Sequence, residues 1–247
     1  LKTNKLGNSD LHLSEIGFGA WAIGSGDWKF GWGPQDDQQS IAAIHKAFDL
    51  GINWIDTAAI YGLGHSEEVV AKAIQGRRSE VIIATKCSAV WNDQNVVSSS
   101  LQSESVIQEC EDSLKRMKID CIDLYQIHSP GDDEHIEEGW EAINQLVKDG
   151  KVRYGGVSNF ELSHFERAQN LHAITSSQPP YSILRRKGEQ DGKFDFCNMH
   201  NIGILAYSPM QAGLLSGTFD ITKISENDWR RGAKEYQKPN LSINLSF

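Results

Sequence analysis

The chain has 247 residues, 39% hydrophobic and 23% charged, which is enough apolar material for a large soluble core. Its formal net charge of -9 weighs against non-specific binding to nucleic acid or anionic membranes, and no apolar run approaches the ~20 residues of a membrane helix. The sequence begins at Leu1 without a signal-like apolar stretch, and the 4 cysteines (Cys87, Cys110, Cys121, Cys197) are widely spaced without CxxC or zinc-ligand patterns, so a reduced, cytoplasmic protein without a metal site is expected.

In chain order, Lys5 to Leu13 predicts a small hairpin turning through Gly7 to Asp10. Glu15-Ile-Gly-Phe18 is the first of seven short apolar runs, and it opens onto Gly19 and a glycine- and tryptophan-rich loop ending at Pro34. Asp36 or Asp37 caps a helix whose Ile41, Ile44, Ala47 and Phe48 fall at helical spacing, and Gly51 stops it. The second run ends at Asp56, with Tyr61 just beyond, and a helix follows from Ser66 to about Ile74. Val81 to Thr85 ends in Lys86; a loop from Val90 to Ser103 leads to a helix carrying Val106, Ile107, Cys110, Leu114 and Met117. Ile122 to Ile127 ends in His128, and Asp133 or Glu134 starts a helix that runs to Asp149 and stops at Gly150. The fifth run leads to Ser158 and Asn159 and precedes a helix from Glu161 to Leu171. The sixth reaches Gln178, with a weakly periodic helical stretch within 187–200, and the seventh reaches Tyr207 and Ser208.

Apolar runs alternating with amphipathic helices predict a parallel sheet covered by helices, in one α/β domain over residues 1–247. A closed barrel of this kind needs eight strands, yet Thr218 to Phe247 is polar and offers no convincing eighth. Either the barrel is cut short in this chain or the sheet is open. Long hydrophobic edges are normally avoided, which favours the shortened barrel.

In a parallel sheet the run ends gather on one face. Tyr61 is a proton donor whose ordinary pKa, near ~10, is too high for easy exchange at neutral pH. An ammonium such as Lys86 stabilises the phenolate and lowers that pKa, and Asp56 holds the ammonium charged and oriented. His128 can donate a hydrogen bond to an oxygen on which charge develops. Taken singly, each is more simply a cap, a packing residue or a structural histidine; at consecutive strand ends they form one constellation.

Asp56-Thr-Ala-x-x-Tyr-Gly-x-Gly-x-Ser-Glu-Glu68, Lys86, Asp123-Leu-Tyr-Gln-Ile-His128, Gly156-Val-Ser-Asn-Phe160 and Tyr207-Ser-Pro-x-x-x-Gly-Leu-Leu-x-Gly217 together resemble the aldo-keto reductase superfamily. The resemblance implies a (β/α)8 barrel with an N-terminal hairpin that uses NADPH without a Rossmann domain. It implies Tyr61 as general acid, Asp56 and Lys86 as its tuning pair, and His128 as the carbonyl-orienting residue. It places Ser158, Asn159 and Gln178 on the nicotinamide carboxamide and Tyr207 against the ring. Ser208, Pro209, Met210, Gln211, Gly213, Leu214, Ser216 and Gly217 would run along the ribose and pyrophosphate.

Gly17-Phe-Gly19-Ala-Trp-Ala22 matches a dinucleotide fingerprint, but that motif needs a helix directly after the glycines and a glycine-rich loop follows instead. Gly19 and Trp21 are therefore expected to border the nicotinamide end of the site. Trp28, Trp32 and Trp91 lie on loops above the same face and suggest a pocket for an apolar or aromatic carbonyl. The expected function is reduction of aldehydes or ketones, with a small-molecule carbonyl substrate and no nucleic-acid or membrane partner. The alternative is a slow redox-sensing nucleotide binder similar to the potassium-channel β subunits. NADPH over NADH follows from the family alone, because Arg185, Arg186 and Lys187 read equally well as solvated charge.

Overall fold

A computed structural model of the chain describes residues 1–25, 28, 30–131, 134–226 and 228–246. The predicted hairpin is present as β1 (Thr3–Lys5) paired antiparallel with β2 (His12–Ser14). After it come β3 (Phe18–Gly19), α1 (Asp37–Asp49), β4 (Trp54–Asp56), α2 (His65–Ala73) and β5 (Ile82–Cys87). A second hairpin, β6 (Ala89–Trp91) with β7 (Val97–Ser99), precedes α3 (Ser103–Met117). The chain continues through β8 (Ile122–Ile127), α4 (Ile136–Lys148), β9 (Val152–Ser158) and α5 (Leu162–Leu171). It ends with β10 (Ser176–Gln178), α6 (Lys193–Met199), β11 (Gly203–Ile204) and a short α7 (Asn240–Asn244).

Local chemistry accounts for some of these boundaries. Asp36 accepts the Gln39 N–H at 2.8 Å, so it is the cap and α1 begins at Asp37. The helix expected from Asp133 or Glu134 begins at Ile136, and Asp133 itself lies outside the described residues, as does Gly26 of the glycine-rich loop. The stretch expected to be a loop after Val90 contains the β6–β7 hairpin. Asn92 closes it, accepting the backbone N–H groups of Gln94 and Val96 at 3.0 Å each.

All seven strands β3, β4, β5, β8, β9, β10 and β11 are parallel, in the order β11-β10-β9-β8-β5-β4-β3. This is the layout of a (β/α)8 barrel that is not closed. Among the described residues no strand joins β11 to β3, and a cleft of about 630 Å³ lies between those two edges. Also among the described residues, no helix is long and apolar enough to cross a membrane.

The pleat sorts the strands into two sets of side chains. Ile83, Tyr125, Ile127 and Val157 are fully buried beneath the helices, in the larger core with Ile44, Val70, Val106 and Trp140. Their neighbours Trp54, Ile82, Ala84, Leu124 and Tyr154 point inward, onto Leu6, Leu11 and Leu13 of the hairpin. The hairpin thus plugs the N-terminal mouth. It is fastened by Asn8 to the Ile174 carbonyl at 3.1 Å and by Asp10 to Arg153 at 2.7 Å. Continuing the inward set toward the C-terminal ends gives Asp56 after Trp54, Lys86 after Ala84, Gln126 and His128 after Leu124, and Ser158 after Gly156. One parity therefore carries the polar residues to the open mouth. Cys87 has the opposite parity, sits in the helix-side core, and burial holds its thiol well above the usual cysteine range.

Candidate active site

At the C-terminal mouth, Lys86 Nζ is almost completely buried and has three oxygen partners. It donates to Asp56 Oδ2 at 2.7 Å, to the Thr57 carbonyl at 2.8 Å and to the Tyr61 hydroxyl at 3.3 Å. An ammonium has three protons, so the set is complete. The second oxygen of Asp56 accepts amide protons from Gln178 at 2.8 Å and Gln126 at 3.4 Å. His128 stands edge-on to Tyr61, with ring centroids 5.7 Å apart and planes at 83°.

Burial works against the Lys86 charge, but Asp56 and Tyr61 outweigh it and hold its pKa above the ordinary lysine value. Tyr61 feels two opposed influences. Lys86 pulls its pKa down as anticipated, but desolvation is larger, Asp56 adds to it, and the phenol stays above its usual range. The ammonium is already neutralised by Asp56, so only part of its field remains for the phenol. Burial, helped by the Lys86 charge, lowers His128 to about 3, so its imidazole is neutral at physiological pH. Its Nδ1 is buried without a hydrogen-bond partner.

Ser158, Asn159, Gln178 and Tyr207 are brought together beside this group as one hydrogen-bonded set. Ser158 donates to the Gln178 carbonyl at 2.8 Å, and the Tyr207 hydroxyl donates to Asn159 Oδ1 at 2.9 Å. Asn159 Nδ2 donates to the His128 carbonyl at 2.9 Å and to Ser158 Oγ at 3.1 Å. Gln178 gives one amide N–H to Asp56, and its side-chain carbonyl oxygen and second N–H remain for a ligand. The loop from Ser208 to Gly217 carries positive φ at Ser208, Gln211, Ala212, Gly213 and Gly217. At Gly217 a Cβ would meet nothing within 4 Å, so the backbone angle and not space is what favours glycine there. Leu214 packs with Tyr236 and Leu241 in a small C-terminal core.

Ser158, Asn159, Gln178 and Tyr207 border a cavity of about 600 Å³. Gly19 and Trp21 form part of its wall, with Trp28, Phe30, Trp32, Ile60, Val97 and Met210, and Asp56, Tyr61 and His128 lie at the same cavity. Ser208, Pro209 and Ala212 also line it, whereas Gln211, Gly213, Leu214, Ser216 and Gly217 of the same loop do not. Trp91 is not part of this wall. It borders a separate hollow with Glu109, where the Arg116 guanidinium of α3 sits 5.9 Å from its ring centroid.

Three participants were not anticipated from sequence. Gln126 is fully buried, two residues before His128 and of the same parity; a lone amide in an apolar run was its available signal. Thr57 acts through its carbonyl and left no signal. Trp229 stacks on Trp21 with centroids 5.2 Å apart and meets Trp32 edge-on at 6.0 Å. It reaches them from the polar C-terminal stretch, where Asp228 and Ala212 anchor the neighbouring Arg230. No cluster of His, Cys, Asp or Glu able to hold a metal ion occurs among the described residues.

The sequence model of the aldo/keto reductase family matches residues 15–244. An aldo-keto reductase of Bacillus subtilis (strain 168), YhdN, is 35% identical over 249 residues, covering 100% of this chain and 73% of that protein. An NADH-specific methylglyoxal reductase of Escherichia coli (strain K12) is 35% identical, covering 88% of this chain and 70% of that protein. Among solved structures, the glycerol dehydrogenase AKR11B4 from Gluconobacter oxydans superposes with a TM-score of 0.87 at 35% identity, covering 99% of this chain and 75% of its own. An aldo-keto reductase from Klebsiella pneumoniae in complex with NADPH superposes with a TM-score of 0.71 at 30% identity, covering 86% of this chain and 69% of its own.

Proposed function

The chain belongs to the aldo/keto reductase family of nicotinamide-dependent oxidoreductases, and we propose that it reduces apolar or aromatic aldehydes and ketones with NADPH, using Tyr61 as the general acid. The observation that carries this reading is the Asp56–Lys86–Tyr61 chain of contacts, 2.7 and 3.3 Å, opening beside His128 onto a cavity walled by indoles.

The residues present suit a nicotinamide. Gln178 keeps a carbonyl oxygen for a carboxamide N–H, Tyr207 offers a flat ring at the cavity, and the positive-φ loop from Ser208 presents backbone of the shape that receives anions. When bound, the reduced nicotinamide supplies a hydride to the carbonyl carbon. The protein handles the proton and the oxygen. A neutral His128 orients the carbonyl by donating one hydrogen bond to its oxygen. Tyr61 delivers its proton to that oxygen as negative charge builds there, and Lys86 stabilises the phenolate left behind. Lys86 keeps its own charge because Asp56 holds it, and Gln126 and Gln178 keep the Asp56 carboxylate in place.

The cavity wall supports the substrate class, because Trp21, Trp28, Phe30 and Trp32 all border it. The cofactor preference draws on the family: a fission-yeast relative, 32% identical, is named for NADP(+) and the Escherichia coli relative for NADH. Arg185 pairs with Glu235 at 2.5 Å and Arg186 with Glu189 at 2.6 Å, both as partly exposed surface pairs.

Steady-state oxidation of NADPH and NADH with matched aromatic and short polar aldehydes tests the whole reading. The expected result is turnover with a higher kcat/KM for the aromatic members and for NADPH. Nucleotide binding without turnover on any aldehyde would instead identify a redox-sensing binder, and equal kcat/KM across the aldehydes would remove the role given to the indoles.

A further inference from the structure

We propose that Ser88 is a positioning residue for His128, holding the strand end that carries the imidazole through a reciprocal pair of hydrogen bonds. The proposal rests on the reading of His128 as the group that orients the carbonyl oxygen.

The imidazole is held by little of its own. Its Nδ1 has no hydrogen-bond partner, and burial keeps the ring uncharged, so no ion pair aims it. Its placement comes from the main chain on either side. The His128 N–H donates to the Cys87 carbonyl at 3.1 Å, and the His128 carbonyl accepts from Asn159 at 2.9 Å. One residue further, Ser88 takes over. Its Oγ accepts the Ser129 N–H at 3.2 Å and its hydroxyl donates to the Ser129 carbonyl at 2.9 Å.

The β5–β8 ladder ends with Cys87 opposite Ile127, so the hydroxyl replaces the next rung where the backbone has turned away. Ser88 has φ +76, a conformation side chains other than glycine seldom adopt, and it is 2% exposed. Glycine would fit that backbone with less strain but would lack the hydroxyl. What serine adds at this position is the pair of bonds to Ser129. The same residue also reaches the cavity wall, because its carbonyl accepts the Ser100 N–H at 3.3 Å and closes the β6–β7 hairpin. Ala89 and Val97 of that hairpin line the cavity with His128. Ser88 therefore couples the edge of the substrate pocket to the backbone carrying the imidazole, two residues after Lys86.

Ser88→Gly separates positioning from folding, since it removes the hydroxyl and eases the backbone. The expected result is a kcat lower by on the order of 10-fold for an aromatic aldehyde, because small misplacement of an orienting group is expensive, with an unchanged NADPH dissociation constant. In a His128→Ala background, Ser88→Gly is expected to change kcat less than about twofold, as residues acting through one another are not additive. The ring resonances of His128 are expected to shift in Ser88→Gly and to leave those of the other histidines in place. A kcat within about twofold of wild type, or an equal loss in both backgrounds, would overturn the proposal. Loss of nucleotide binding in Ser88→Gly would overturn it as well and make Ser88 a purely structural staple. Retained activity in His128→Ala alone would defeat the reading of His128 itself, a different failure from a silent Ser88→Gly in an enzyme that needs His128.

Discussion

Gly24 and Gly62 pass so closely that a Cβ on Gly62 would stand 1.9 Å from the Gly24 carbonyl oxygen. A Cβ on Gly24 would in turn stand 2.7 Å from the Tyr61 carbonyl carbon and the Gly62 nitrogen. Backbone thus packs against backbone where the tryptophan loop crosses the turn that carries the phenol. Gly62 also has φ +65, so alanine there is strained as well as crowded. Gly62→Ala is expected to destabilise the fold by ~1–3 kcal/mol and to lower kcat by moving Tyr61. Thermal unfolding and steady-state kinetics check this together; wild-type values in both would show that the loop and the turn separate freely.

Tyr61→Phe keeps the ring that faces His128 and Trp21 and removes only the hydroxyl that meets Lys86. Turnover is expected to fall by about 10²–10⁴-fold, the usual contribution of a positioned acid. NADPH affinity, measured by fluorescence titration, should be unchanged. Near-full turnover would reject Tyr61 as the acid.

Lys86→Met leaves the Asp56 carboxylate with two amides and no cation. Side-chain exposures of 1% for Lys86 and 15% for Asp56 place this pair inside the protein. Removing one member of a buried pair typically destabilises by ~3–5 kcal/mol, much of it the unpaired charge left behind. Removing both should therefore cost less than removing one. Denaturant unfolding of Lys86→Met beside the double variant Asp56→Asn/Lys86→Met measures the difference, and a double variant less stable than the single would contradict the argument.

Glu109 has one carboxylate oxygen buried without a partner, and burial raises its pKa to about 7 despite the opposing N–H groups of Ser88 and Ala89. The folded value lies above the unfolded one, so the folded state holds the proton more tightly. The resulting stability is complete below about 4.5 and is lost as pH rises through about 7. Glu109→Gln should remove that dependence, becoming the more stable form above neutrality and losing its advantage in acid. Parallel pH slopes for the variant and the wild type, from urea unfolding, would show that Glu109 titrates normally.

Much of this site was legible because a strand repeats every two residues. Asp56, Lys86 and His128 stand at the ends of apolar runs, and one parity carries them with Ser158 to the same mouth. That parity also set Cys87 apart, since its neighbour Lys86 already occupied the inward face. Less visible were contacts made by folding distant segments together. Trp229 belongs to a stretch with neither helical nor strand period, organised as short turns around Leu214, Tyr236 and Leu241. Trp91 has the composition of a pocket residue, but Arg116 on α3 provides a competing surface for its ring. The net position of the Tyr61 pKa is hidden for a related reason: the lowering partner Lys86 is visible in the sequence, and the degree of desolvation is not.

The strand order bears on when the pocket comes into being. Gly19 and Trp21 follow β3 and Tyr207 follows β11, the two ends of the order β11-β10-β9-β8-β5-β4-β3, yet all three border the same cavity. Five strands stand between those ends, so the opposite walls are brought together by the curl of the whole sheet. No local segment can build the cavity alone: its walls meet only after the chain from Gly19 to Tyr207 has paired, strand by strand. The pocket is therefore a late product of folding, although several of its residues lie close together in sequence.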